Sequence, residues 1–119
     1  MRNTAPASQL LTIEIERPAP DTALVVVRGE IDLSNAKAFT SQAEHALHRD
    51  LALLLLDLRS VTFCGCAGLS EFVRIRDLAH ERGARVRVVP SGPVRRAIVA
   101  TGLTDHLDGA AAADAPVTR

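Results

Sequence analysis

Two thiols and a run of small residues form the part of the chain where chemistry is easiest to place. Cys64 and Cys66 flank Gly65 in the run Cys64-Gly65-Cys66-Ala67-Gly68, which leads into a helical pattern. A thiol beside a helix N-terminus can lose its proton readily and act as a redox sensor. Cysteines in C-x-C spacing supply too few ligands for zinc, and His45 and His48 sit on another helix without a partner motif. A disulfide between such close neighbours is strained. A small buried thiol is common, so packing is the simpler role. The glycines can turn backbone N–H groups outward and cradle a phosphate. Ser60, Thr62 and Ser70 are hydroxyls that phosphorylation would charge, or that satisfy local backbone groups. Asp32 and Asp57 suit capping of the turns that follow them. There is no G-x-S-x-G, P-loop lysine, dinucleotide fingerprint or carboxylate–histidine set at a shared strand end. The chain does not read as an enzyme, and nothing in it calls for a metal or a cofactor.

Bulk properties narrow the partners. The 119 residues carry 14 basic and 14 acidic side chains, so no net charge draws the protein to nucleic acid or an anionic membrane. Three Phe, without Trp or Tyr, provide no stacking platform for single strands. Core volume must come from Leu, Val, Ile and Ala. The first residues lack an apolar h-region, and the cysteines are too close to staple a fold, so a cytoplasmic, reducing setting is expected.

The elements that must position the small-residue run follow from periodicity. Residues 1–9 read as a frayed N-terminal tail. Leu10–Glu16 alternates, with Leu11, Ile13 and Ile15 on one face, as a half-solvated strand. The segment Arg17-Pro18-Ala19-Pro20-Asp21 is a turn, and Ala23–Arg28 a second, antiparallel strand. Gly29-Glu30-Ile31-Asp32-Leu33 leads to Ser34, a plausible N-cap for a helix over Asn35–Arg49 with Ala36, Phe39, Ala43, Ala46 and Leu47 inward. Leu51–Leu56, closed by Asp57, is too short for a bilayer and reads as a strand buried on both faces. A helix over Leu69–Arg82 follows the small-residue loop, with Leu69, Phe72, Val73, Ile75, Leu78 and Ala79 inward and Gly83 as its stop. Arg85–Val89 is a strand. Ser91-Gly92-Pro93 opens a last helix with Val94, Ala97, Ile98 and Thr101 inward, and Leu103 folds back beyond Gly102. Residues 109–119 read as a C-terminal tail. The order β-β-α-β-α-β-α predicts one α/β domain with a mixed sheet, parallel where helices cross over.

Four features in this order resemble the STAS-domain family, in particular bacterial anti-sigma-factor antagonists. They are Gly29-Glu30-Ile31-Asp32-Leu33; Leu56-Asp57-Leu58 followed by Val61-Thr62-Phe63; Ala67-Gly68-Leu69 opening a helix; and Val94-Arg95-Arg96-Ala97-Ile98 with Thr101-Gly102-Leu103. The resemblance implies a STAS-like single domain over residues 10–108, with a mixed four- to five-stranded sheet and helices mainly on one face. It implies a non-enzymatic role in partner switching and transcription regulation. Such a protein binds an anti-sigma factor, a switch kinase that phosphorylates serine, and frees a sigma factor. In phosphorylated members the residue before the glycine of Asp-Ser-Ser-Gly-Leu is the acceptor. Here that position is Ala67, and Gly65 replaces the acid. Without a hydroxyl the usual switch cannot operate there. The resemblance places partner contacts on Glu30, Asp32, Leu33 and Ser34, on Cys64, Gly65, Cys66, Ala67 and Gly68, and on Leu69, Ser70, Val73, Arg74 and Asp77. Leu33, Leu69 and Val73 would form its apolar rim. The alternative is a STAS subunit of a transporter ATPase or of a signalling scaffold. Homodimer formation stays open; nucleic-acid binding and membrane insertion are not expected.

Overall fold

The computed structural model describes residues 3–8, by their backbone, and residues 11–102. Strands β1 (Asn3–Ser8), β2 (Leu11–Ala19) and β3 (Thr22–Ile31) are joined antiparallel; helix α1 (Ala36–Glu44) then crosses to β4 (Leu53–Cys64). Helix α2 (Cys66–Glu81) crosses to β5 (Arg85–Pro90), and α3 (Gly92–Thr101) follows. The sheet order is β1-β2-β3-β4-β5, with β3, β4 and β5 mutually parallel. The mixed α/β architecture predicted from the element order is therefore present.

The core lies between the sheet and the helices. Leu11, Ile13 and Ile15 of β2, Val25 and Val27 of β3, and Leu54, Leu56 and Leu58 of β4 are buried in one cluster with residues of all three helices. Phe39 of α1 and Phe72 of α2 meet edge to face, with centroids 5.4 Å apart and planes at 84°, which fixes the helices side by side. The middle strand departs from its expectation of burial on both faces. Leu54, Leu56 and Leu58 are buried, whereas Leu53, Leu55 and Asp57 are only half-buried. No described helix layers the second face, which carries Leu24, Val26, Leu53 and Leu55 beside two ion pairs. Arg59 grips Asp57 through two contacts of 3.0 Å, and Arg28 reaches Glu14 at 3.4 Å.

Several element bounds also differ. Strand β1 occupies the segment expected as a tail, because pairing with β2 gives it a ladder that its polar sequence does not announce. Its Pro6 sits on an edge strand beside a register shift, where a missing N–H is tolerated. The turn after β2 shrinks to Pro20 and Asp21, and Pro18 falls in the irregular stretch between Glu16 and Ala19. Helix α1 stops at Glu44 rather than Arg49. His45, Ala46 and Leu47 bond back three residues, and the Arg17 guanidinium takes the carbonyls of Ala46 at 3.2 Å and His45 at 3.4 Å. Thr101, expected inward, is exposed and donates to the Ala97 carbonyl at 2.8 Å. Gly83 and Gly102 end α2 and α3 with φ of 83° and 75°, the left-handed stops that the sequence predicts. Ser91 Oγ accepts from Val94 N at 3.3 Å as the α3 cap. Leu103 and the C-terminal tail lie outside the described residues.

Candidate functional site

Strands β3 and β4 run parallel and end together, with Glu30 opposite Phe63 and Ile31 opposite Cys64. Each then turns into a helix, so the starts of α1 and α2 share one tip of the molecule. The two turns are tied together, since Gly65 N donates to the Ile31 carbonyl at 3.0 Å.

The turn from β3 into α1 is built by side chains. Asp32 Oδ1 accepts from Ser34 N at 2.9 Å and from Ser34 Oγ at 2.6 Å. The Ser34 hydroxyl bond leads the influences that hold the Asp32 carboxyl below its ordinary value. Asn35, not Ser34, stands at the N-cap position. Its buried amide accepts from Asp32 N and donates to the Glu30 carbonyl, both at 2.9 Å. With the ring of hydrogen bonds closed beneath it, Leu33 is pushed outward and is 85% exposed.

The turn from β4 into α2 is almost absent. What the sequence suggests is a loop is one residue, Gly65, in extended backbone; Cys66, Ala67 and Gly68 already form the first turn of α2. Ser70 therefore belongs to the second turn, where it is exposed. Gly68 and Leu69 are buried, so these two expected contact residues hold the site up from inside. The fit is tight: a Cβ on Gly68 would lie 2.7 Å from Ile31 Cγ2 and 2.8 Å from Cys64 Sγ. Burial, with the neighbouring Cys66 charge, pushes the Cys64 thiol up to about 11. Cys66 is exposed, Ala67 half-buried, and both cysteines are free thiols.

The apolar rim is consequently different from the one expected. Leu69 is in the core and Val73 half-buried against it. Leu33 is joined by Phe63, 51% exposed, which the sequence reading passed over. Period-2 alternation from Val61 would turn Phe63 inward, but it lies at the end of the sheet, beside Gly65, where no core continues. The signal available was composition: Phe39 and Phe72 fall on helical stripes, leaving this one Phe beside a small-residue turn. Glu30 and Ser34 are exposed on the same tip, while Arg74 and Asp77 extend down the outer side of α2. Between the helices an open cleft of about 200 Å³ is lined by Lys37, Thr40, Ser41, Glu44, Glu71 and Arg74. Thr40 Oγ1 bonds Glu71 Oε1 at its floor.

The arrangement suits docking better than bond chemistry. The tip offers two exposed apolar side chains, small neutral residues and two carboxylates, on a frame that backbone and amide hydrogen bonds hold still. Among the described residues no group of three or more His, Cys, Asp or Glu could hold a metal ion. His45 is exposed, and His48 Nδ1 accepts from Asp50 N at 3.3 Å. No described helix is long and apolar enough to cross a membrane.

A family model, the STAS domain, matches residues 13–114. The fold is similar to the crystal structure of an anti-sigma factor antagonist from Mycobacterium paratuberculosis, with 30% identity and a TM-score of 0.69 over 85% of this chain and 84% of that one. It is similar to the anti-sigma factor antagonist SpoIIAA in its unphosphorylated form, with 19% identity and a TM-score of 0.62 over 76% of this chain and 81% of that one. It is also similar to part of the murine anion transporter Slc26a9, with 16% identity and a TM-score of 0.66 over 75% of this chain and 15% of that one. No curated protein matches.

Proposed function

Because the chain belongs to the STAS-domain family, we propose that it is a non-enzymatic docking protein of the cytoplasm, an anti-sigma-factor antagonist that binds a serine-kinase anti-sigma factor and so frees a sigma factor. What supports this is the tip itself, where Leu33 and Phe63 stand out of the surface on either side of the joined strand ends. Large apolar side chains left in water at a rigid position are what a partner buries first. Glu30 and Asp32 beside them favour a partner with basic groups around an apolar pocket. Ala67, half-buried in the first turn of α2, takes the place of the family's phosphorylated hydroxyl, so no charge can be written there.

Calorimetric titration against the anti-sigma factor tests the assignment. Leu33→Ala and Phe63→Ala should each weaken binding about tenfold or more, and Ala67→Asp should do the same by placing a carboxylate in the neutral centre of the contact. Full affinity in all three variants would reject the tip as the docking face. The protein would then act as a STAS subunit of a larger assembly, through another surface.

A further inference from the structure

The loss of a hydroxyl at position 67 does not leave the tip without one. Ser34 is exposed beside Leu33, and its Oγ is held at 2.6 Å by Asp32 Oδ1. The same carboxylate oxygen fixes the Ser34 backbone N–H at 2.9 Å, so the hydroxyl is presented in one orientation. The Thr62 hydroxyl of β4 is placed differently: its Oγ1 donates to the Gly29 carbonyl at 3.3 Å, on the strand below the rim. We propose that Ser34 is a phosphoacceptor, modified by an ATP-dependent serine kinase, and that its phosphate releases the docked partner. This rests on the tip being the docking face.

The step balances without further reagents. Ser34 Oγ attacks the γ-phosphorus of the kinase-bound ATP, an Oγ–P bond forms, and the bond from that phosphorus to the β-phosphate oxygen breaks. ADP leaves with the electron pair. The hydroxyl proton departs along the existing hydrogen bond to Asp32 Oδ1 and then to water. Asp32 positions the hydroxyl rather than driving the transfer, since a phosphoryl transition state asks more for alignment than for a strong base.

The consequence follows from the charges. A phosphoserine cannot donate to Asp32, and its two negative charges face the Asp32 carboxylate and the neighbouring Glu30. Attraction comes from the other side: the α1 N-terminus starts two residues later, and Lys37, exposed in its first turn, lies three residues on. The side chain must swing from the Asp32 turn toward α1, and the turn that pushes Leu33 outward opens. A partner that buries Leu33 loses its anchor and meets new negative charge.

Trypsin provides a clean test, because cleavage after Arg28 and Lys37 releases Gly29–Lys37, in which Ser34 is the only hydroxyl residue. The full-length chain is incubated with soluble extract of its source cell and radiolabelled ATP, and its peptides are mapped. Label on Gly29–Lys37, lost in Ser34→Ala and regained in Ser34→Thr, is the expected result. Label confined to the peptides holding Ser60, Thr62 and Ser70 or Thr40 and Ser41, or no label at all, overturns the assignment. In titration against the anti-sigma factor, Ser34→Glu should bind about tenfold more weakly than Ser34→Ala. Equal affinities would overturn the release. The two readings fail separately: unchanged binding by Leu33→Ala, Phe63→Ala and Ala67→Asp together rejects the docking face even where the peptide is labelled, whereas weakened binding without label rejects Ser34 alone.

Discussion

Cys64 and Cys66 show how little sequence distance says about environment. One residue apart, the first packs under Gly68 with its thiol pushed up to about 11, and the second stands in solvent at the start of α2. Only the thiolate reacts, so native protein treated with iodoacetamide near neutral pH should be alkylated at Cys66 and spared at Cys64 until denatured. Peptide mapping checks this, and equal labelling of the two would contradict the packing. The packing role expected for a small thiol thus belongs to Cys64, while Cys66 is left to the surface. Side-chain roles were less legible where a fold places a residue at its boundary. Leu69 looks like rim and is core; Phe63 looks like core and is rim. Hydrophobicity is the same in both cases, and only the end of the sheet tells them apart. Asn35 was invisible for a different reason, since its work is done by a buried amide bridging two backbone groups across a turn.

Among the elements, β4 and α2 form the unit that sets the tip. Their periods were readable: the Leu run as strand, and Leu69, Phe72, Ile75 and Ala79 as a helical stripe. Their junction was not, because small residues suit a loop and a close-packed helix start equally well. Here close packing decides, and Gly68→Ala tests it. The added methyl has no free space between Ile31 and Cys64, so the variant should lose about 1–3 kcal/mol of stability in urea unfolding and show altered spectra around Ile31. Wild-type stability would mean that the helix start can lift at no cost. Strand β1 and the early end of α1 mark the other limit of reading by pattern. Both depend on distant partners, β2 for the first and Arg17 for the second, and local periodicity holds no trace of either.

Among the described residues, the helices shield one side of the sheet, and the other side carries the Arg59–Asp57 and Arg28–Glu14 pairs beside Leu24, Val26, Leu53 and Leu55. Asp57 belongs to that second side. Burial alone would raise its carboxyl, but hydrogen bonds from the Arg59 side chain and backbone, with the charges of Arg59 and Arg28, outweigh this and hold it below its ordinary value. A carboxyl lowered by folding contributes stability above its unfolded value, and loses that contribution as pH falls through the folded one. Arg59→Ala should therefore cost about 1 kcal/mol or less near neutral pH, and the gap from wild type should close in acid below the ordinary carboxylate range. Urea midpoints measured across that range provide the check; a gap that persists undiminished in acid would exclude the ion pair as its source. The element order was legible in advance because it follows from periodicity, whereas the one-sided helix layer was implied only by the family resemblance. Periodicity did not separate the two cases, because a Leu run reads alike whether or not helices cover its second face.

The two helix starts meeting at one end have a consequence for descent. Leu33, Ser34, Phe63 and Cys66 stand outside the packed interior, so, with the tip as the proposed docking face, mutation there is free to alter recognition while the framework beneath is inherited unchanged. Gly68 and Asn35, which lie under that surface, have no such freedom. A lineage built on this arrangement can acquire new associates through a handful of surface replacements, and its divergence should be greatest over an area only a few side chains wide.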